Sequence, residues 1–188
     1  MFRIETKRLL LRDFIPADTD GYVALSADAK YQRFYTELDC STARAVQLVE
    51  LFIQQARVRP RTVYQLAITL KGNDSIIGTC GLRVEPYQQA SLGCGLAREK
   101  QVSGYAQESM HALVEFGFKH LNLHRVYMQT LSENAAAIAL GKKSGLRCEA
   151  EFIDNQYFKS QWWNTSIMAM LKSEWQEQKQ NRTDSIGL

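Results

Sequence analysis

The chain has 188 residues, 45% hydrophobic and 23% charged, enough for one domain with its own core and no need of cross-links. Its formal charge of +3 and pI near 8.7 fall short of the basic footprint of a dedicated nucleic-acid binder, so no direct nucleic-acid contact is expected, although mild basicity suits a polyanionic ligand. Four cysteines without a CxxC pair, Cys40, Cys80, Cys94 and Cys148, exclude a disulfide framework or zinc module and fit a reducing compartment.

The opening MFRIETKRLLLRDF carries Arg3, Glu5, Lys7 and Arg8 and lacks the apolar segment of a secretory signal. No window is long and apolar enough to span a bilayer. A soluble, cytoplasmic protein without a membrane partner is expected.

Arg8 to Phe14, RLLLRDF, predicts a strand stopped near Pro16, with Asp18 then placed to cap a helix. A second helix is expected from about Ser41, where Ala45, Leu48, Val49 and Phe52 recur at three- and four-residue steps, ending before Pro60. The period then changes to two. Val63–Leu70 and Ser75–Val84, joined by the turn KGNDS, predict a hairpin, and Ala90–Leu96 a third strand whose glycines suggest a bulge or a close backbone approach. After the turn QVSGYA, a helix is expected to bury Ala106, Met110, Leu113, Val114, Gly117 and Leu121. RVYMQT predicts a strand, and ENAAAIALGKKSG a helix ending in lysines and a glycine. LRCEAEF and WWNTSIMAML predict two closing strands. Residues 1–175 then form a single α+β domain, and the polar tail 176–188 is expected to be disordered.

Three phosphate-binding patterns can be weighed. GxxxxGK[ST] occurs nowhere, and Gly93-Cys94-Gly95-Leu96-Ala97-Arg98 breaks the dinucleotide fingerprint while lying in a strand. The third is QVSGYA at a helix start. Consecutive amides there form an anion cradle strengthened by the helix dipole, and Gly104 lets the main chain approach oxygen atoms without a Cβ. Such a loop, with no lysine of its own, suits a pyrophosphate that is held rather than cleaved.

The strings ETKRLLLRDF, SIIGTCGL, QVSGYAQESMHALVEFGF, LNLHRVYMQTLSENAAAIALGKKSGLRCEAEF and SEWQ, in this order, resemble the GNAT superfamily of acyl-CoA-dependent N-acetyltransferases. More narrowly they resemble its RimJ/RimL-type branch, named for acetylation of ribosomal-protein N-termini. The likeness runs from about Glu5 to Trp175. It implies the GNAT fold: a mostly antiparallel mixed sheet, helices on both faces, and a splayed pair of strands at the cofactor site. It implies acetyl-CoA as co-substrate and a primary amine as acceptor, either a peptide N-terminus or a small molecule. It further implies that Gln101, Val102, Ser103, Gly104, Tyr105 and Ala106 hold the CoA pyrophosphate, that the strand ending at Leu96 binds the pantetheine arm, and that Asn134 lies beside it. Asn134 reads equally well as a helix N-cap.

The acid–base groups are less legible. Where relatives often carry a glutamate and a serine, this chain has Ser91 and Ala137. Glu85 and Glu37 are the remaining carboxylates expected near the amine, able to relay a proton through water. The demand on a base depends on the acceptor: at neutral pH about a tenth of an α-amine near pKa ~8 is neutral, against roughly one lysine in 2,500. Tyr31, Phe34 and Tyr35 are the expected acceptor wall. His120 and His124 lack acidic or cysteine partners, so no metal is expected. Cys94 lacks a His–Asp set, which favours direct attack in a ternary complex over a covalent intermediate. A non-catalytic acyl-CoA-binding or interaction protein on the same fold is the alternative, and a monomer or homodimer is expected.

Overall fold

The computed structural model describes residues 1–184, with side chains through Asn181. Eight strands form one sheet in the order β1-β2-β3-β4-β5-β6-β8-β7. The chain enters through β1 (Arg3–Glu5) and β2 (Leu9–Asp13), an antiparallel pair. β1 was not foreseen, because three residues are too few for a period. A 3-10 turn at Pro16–Asp18 leads into α1 (Thr19–Ser26), followed by the single-turn α2 (Ala29–Gln32) and by α3 (Thr42–Arg57). Ser41 caps α3 by accepting the Arg44 amide at 3.2 Å, as its sequence position predicts.

Asp18 does precede α1, but its carboxylate makes no cap bond to that helix. It binds Arg12 instead, through Nη1 and Nη2 at 2.8 Å each, and accepts the Ile15 amide. Both side chains are 4% exposed. Burial makes the ion pair the stronger claim on that carboxylate, and the hydrogen bond to Asp18 is the main reason the Arg12 guanidinium is held above its ordinary pKa.

β3 (Val63–Leu70), β4 (Asn73–Glu85) and β5 (Gln89–Leu96) form an antiparallel meander. The β4–β5 register runs unbroken from Gly78↔Leu96 to Glu85↔Gln89, so Gly93 and Gly95 mark no bulge there. α4 (Tyr105–Lys119) then crosses over to β6 (Arg125–Leu131), which lies parallel to β5. α5 (Ala135–Lys143) precedes the antiparallel hairpin of β7 (Arg147–Phe158) and β8 (Gln161–Leu171), and β8 pairs with β6.

The expected disorder from residue 176 is not observed as far as the description reaches: α6 (Lys172–Asp184) spans residues 176–184, and residues 185–188 lie outside the described part. Tertiary contacts hold its first turns, since Trp175 packs 5.4 Å from Phe118 and Lys179 pairs with Glu115 at 2.9 Å. Such anchors leave no trace in a polar, aperiodic string.

Period-two alternation sorts the sheet into two faces. Leu66, Ile68, Leu82, Leu92 and Val126 meet Met110, Leu113, Val114 and Phe118 of α4 in the larger core. Ala67 on the other face meets Tyr22 and Leu25 of α1 and Ala45 and Val49 of α3. Helices therefore cover both faces, as expected. No described helix is long and apolar enough to cross a membrane.

Candidate active site

The site begins where the sheet opens. β5 and β6 pair only over Gln89–Ser91 against Arg125–Tyr127. β6 continues on its other edge with β8, while β5 from Leu92 to Leu96 stays paired with β4 alone. The parallel pair thus forks beyond Ser91 and Tyr127. One edge of β5 is left without a strand over five residues, or about 17 Å at ~3.3 Å per residue. Such an edge is a template for an extended, hydrogen-bonding ligand.

At the open end of the fork stands the loop between β5 and α4. Arg98–Lys100 form a 3-10 turn, Val102 takes a left-handed φ of 61° and Gly104 one of 78° as the N-cap of α4. Glycine adopts that conformation without penalty, whereas Val102 holds it at a cost and points its side chain fully outward. Among the described residues, the amides of Val102, Ser103, Gly104, Tyr105, Ala106 and Gln107 have no protein acceptor. These are donors that a helix start leaves open, and they lie beside its positive dipole end. The loop is open and exposed, not packed into the interior. It therefore fits a pyrophosphate, with the β5 edge leading from it toward the fork.

Arg8 was not singled out in the sequence, and it organises this loop. Its Nη1 donates to Ser103 O at 2.9 Å, its Nε to Glu108 Oε2 at 2.7 Å, and its guanidinium lies 4.4 Å from the centre of the Tyr105 ring. Glu108 also accepts from the Arg8 amide at 2.8 Å and the Thr6 hydroxyl at 2.6 Å. Burial pushes the Glu108 carboxyl up, but the bonds from Thr6 and Arg8 together hold it below the ordinary carboxylate range. No local pattern could have revealed this clamp, because its partners lie 95 and 100 residues apart.

Across the sheet, between α1–α3 and the β3–β5 face, lies a cleft of about 460 Å³. Gly81, Gly93 and Gly95 form part of its floor, and Tyr22, Tyr31 and Tyr35 part of its wall. Tyr31 and Tyr35 stack with centroids 5.2 Å apart. A Cβ on Gly95 would sit 3.0 Å from the Tyr31 ring, whereas one on Gly93 would meet nothing within 4 Å. The glycines thus serve the close approach of an aromatic wall and an open floor. Burial pushes the Tyr22 phenol up to about 12 and the Tyr31 phenol up as well, so both are neutral hydrogen-bonding groups at ordinary pH. The third expected wall residue, Phe34, does not line this cleft and meets Trp163 edge-on at 6.0 Å.

The two carboxylates separate. Glu37 is exposed on the α2–α3 loop and does not line the cleft. Glu85 lies one alternation beyond Arg83, a cleft residue, and both its oxygens are 3.0 Å from the Tyr127 hydroxyl. Tyr127 sits at the fork apex, opposite Ser91. Burial, then the hydrogen bond to Glu85, raises its pKa, so the phenol donates to the carboxylate. Asn134 caps α5 by accepting the Ala137 amide at 3.2 Å. Cys94 is partly buried and burial pushes its thiol up to about 12, which leaves no thiolate for nucleophilic attack at neutral pH. Among the described residues no cluster of three potential metal ligands occurs.

A parallel pair forking beside an anion-ready loop matches the outcome of comparison with known proteins. The acetyltransferase (GNAT) domain model matches residues 8–147. The chain belongs to the GNAT acetyltransferase family. It is 27% identical over 173 residues to the uncharacterized N-acetyltransferase YnaD of Bacillus subtilis, covering 92% of this chain and 98% of that one. The fold is similar to that of a GNAT-family acetyltransferase from Bacillus anthracis, with TM-score 0.80 and 21% identity over 92% of this chain and 99% of that one. It is also similar to spermidine N-acetyltransferase from Vibrio cholerae, solved with CoA and spermine, with TM-score 0.75 and 20% identity over 88% and 96% of the two chains.

Proposed function

We propose that this GNAT protein transfers an acetyl group from acetyl-CoA to a primary amine, either a peptide α-amine or a small molecule, by direct attack in a ternary complex. The observation that carries the reading is the fork of β5 and β6 beside six unpaired loop amides. In this reading the amides of Val102 to Ala106 hold the pyrophosphate, the expected Gln101 amide being already engaged by the Arg98 carbonyl at 3.2 Å, and the free β5 edge down from Leu96 binds the pantetheine arm. Asn134, at the far side of the fork, contributes its side-chain amide nitrogen while its oxygen caps α5. Bound acetyl-CoA supplies an activated thioester whose thiol leaves without much acid assistance.

The chain's own groups then have three tasks. Loop and strand amides orient the donor, and an amide near Cys94 or Gly95 faces the carbonyl oxygen. The tyrosine-lined cleft holds the acceptor. Glu85, oriented by the Tyr127 hydroxyl, takes the amine proton through water. Glu37, away from the cleft, has no part in it. The RimJ/RimL-like strings favour an α-amine, which asks least of a base.

The test combines the protein with acetyl-CoA and a panel of peptide N-termini and small amines, and measures free thiol. Turnover that survives Cys94→Ala, with no acetylated protein in the mass spectrum, is expected. Ser91 and Ala137 motivate the other reading, a binding protein without turnover. Saturable CoA binding with no thiol released across the whole panel would establish that reading instead.

A further inference from the structure

We infer that the acceptor is a small amine carrying a carboxylate, and that Arg83 is the residue that selects it. The inference rests on the acetyltransferase reading above and narrows its acceptor from any primary amine to an acid-bearing one. Its basis is the charge left over in the acceptor cleft.

Three charged side chains line that cleft: Asp39, Arg44 and Arg83. Asp39 lies 3.9 Å from Arg44 and accepts the Thr36 hydroxyl at 2.6 Å, so its charge is already answered. Arg83 is exposed and, among the described residues, has no hydrogen bond or ion pair. The nearest carboxylate on its own strand, Glu85, is held by Tyr127. The cleft therefore presents one unmatched guanidinium. A guanidinium is a planar fork of donors that binds a carboxylate through two parallel hydrogen bonds. A polyamine would bring further ammonium groups into a cleft with two arginines and a single, engaged carboxylate. Like charges there oppose binding.

Position adds a length constraint. Arg83 pairs directly with Ser91 across β4 and β5, and Ser91 pairs with Tyr127 at the fork apex. The three side chains form one row on the cleft face, with neighbouring strands about 4.8 Å apart. An acid held by Arg83 thus leaves its amine a few bonds away, on the cleft face of β5 beside the free edge that presents the thioester. The cleft volume of about 460 Å³ lies in the range of small-molecule sites. Its tyrosines accommodate an apolar or aromatic body between the two ends.

The experiment measures kcat and KM for phenylalanine, phenylalaninamide, phenethylamine and spermidine, with the wild type and with Arg83→Gln and Arg83→Lys. A neighbouring carboxylate favours the protonated form of an amine, so intrinsic reactivity favours the amide and a preference for the acid must come from the protein. The wild type is expected to prefer phenylalanine over both partners that lack the carboxylate and to use spermidine least. Arg83→Gln is expected to raise KM for phenylalanine about ten- to hundredfold, the worth of one charge-assisted pair, and to collapse the ratio of acid to amide. Arg83→Lys keeps the charge without the fork and should fall between. Acetyl-CoA affinity, read by calorimetry on the same variants, separates the two ideas. Turnover without preference for the acid, a preference for spermidine, or an equal loss for acid and amide in Arg83→Gln overturns this inference and leaves the acetyltransferase reading standing. No turnover with any acceptor overturns both.

Discussion

Replacing Gly104 by alanine tests the cofactor cradle directly. Gly104 holds φ 78°, and a Cβ there would come 3.3 Å from Arg8 Nη2, the far end of a flexible side chain that can give way. The steric cost is therefore small, and the main folded-state cost is the left-handed backbone, about 1–2 kcal/mol for a residue with a Cβ. Loss of glycine's extra freedom in the unfolded chain offsets about half of that. A net loss of about 1 kcal/mol corresponds to a fall in Tm of roughly 2–4 °C for a domain of this size. Gly72, in the turn between β3 and β4, provides the matched control, since its φ is 80° and a Cβ there would meet nothing within 4 Å. Gly72→Ala should carry the same stability cost far from the loop. Only Gly104→Ala, however, puts a methyl group among the free amides. Losing one hydrogen bond to a charged oxygen, about 1.5–3 kcal/mol, weakens binding about 10- to 150-fold. Calorimetric titration with acetyl-CoA should show that drop for Gly104→Ala and an unchanged Kd for Gly72→Ala. Equal affinities in the two variants, at equal losses of Tm, would refute the assignment of these amides to the pyrophosphate.

Asp18→Ala should lower unfolding free energy by about 3–5 kcal/mol, because it strands the buried Arg12 guanidinium without its counter-charge; a loss below about 1 kcal/mol in urea denaturation would show that the pair is not what fixes the entry to α1. Glu108→Gln should flatten the acid limb of the stability curve. The Glu108 carboxyl is held below its unfolded value, so its contribution is fully present above the ordinary carboxylate range and disappears as pH falls through the depressed folded value. Wild type and variant should therefore converge at low pH, and curves that stay parallel would remove Glu108 from that linkage.

The residues show which parts of this molecule were legible in the string. β3 could be placed from sequence because Val63–Leu70 carries its own period, and α3 because Ser41 bonds the Arg44 amide three residues on. The loop of Gln101 to Ala106 was legible for the same reason, since a glycine before a helix is a local requirement of its backbone. Asp18 misled because two local roles were open to it, and burial beside Arg12 chose between them. Glu37 and Phe34 fall outside the cleft lining because position along a short segment does not decide which of its sides faces a cleft.

What the string determined by itself was therefore local: the periods, the caps, the glycine loop and the order of elements that places it before α4. What only the tertiary structure decided was how distant segments share charge and space. It sets Arg8, just before β2, on Glu108 and Ser103, seats Glu85 on Tyr127, and leaves Arg83, among the described residues, without a partner in the acceptor cleft. The reason is physical. A backbone conformation is a property of a few consecutive residues, whereas the pairing of a charge depends on every segment that folding brings within a few ångströms of it.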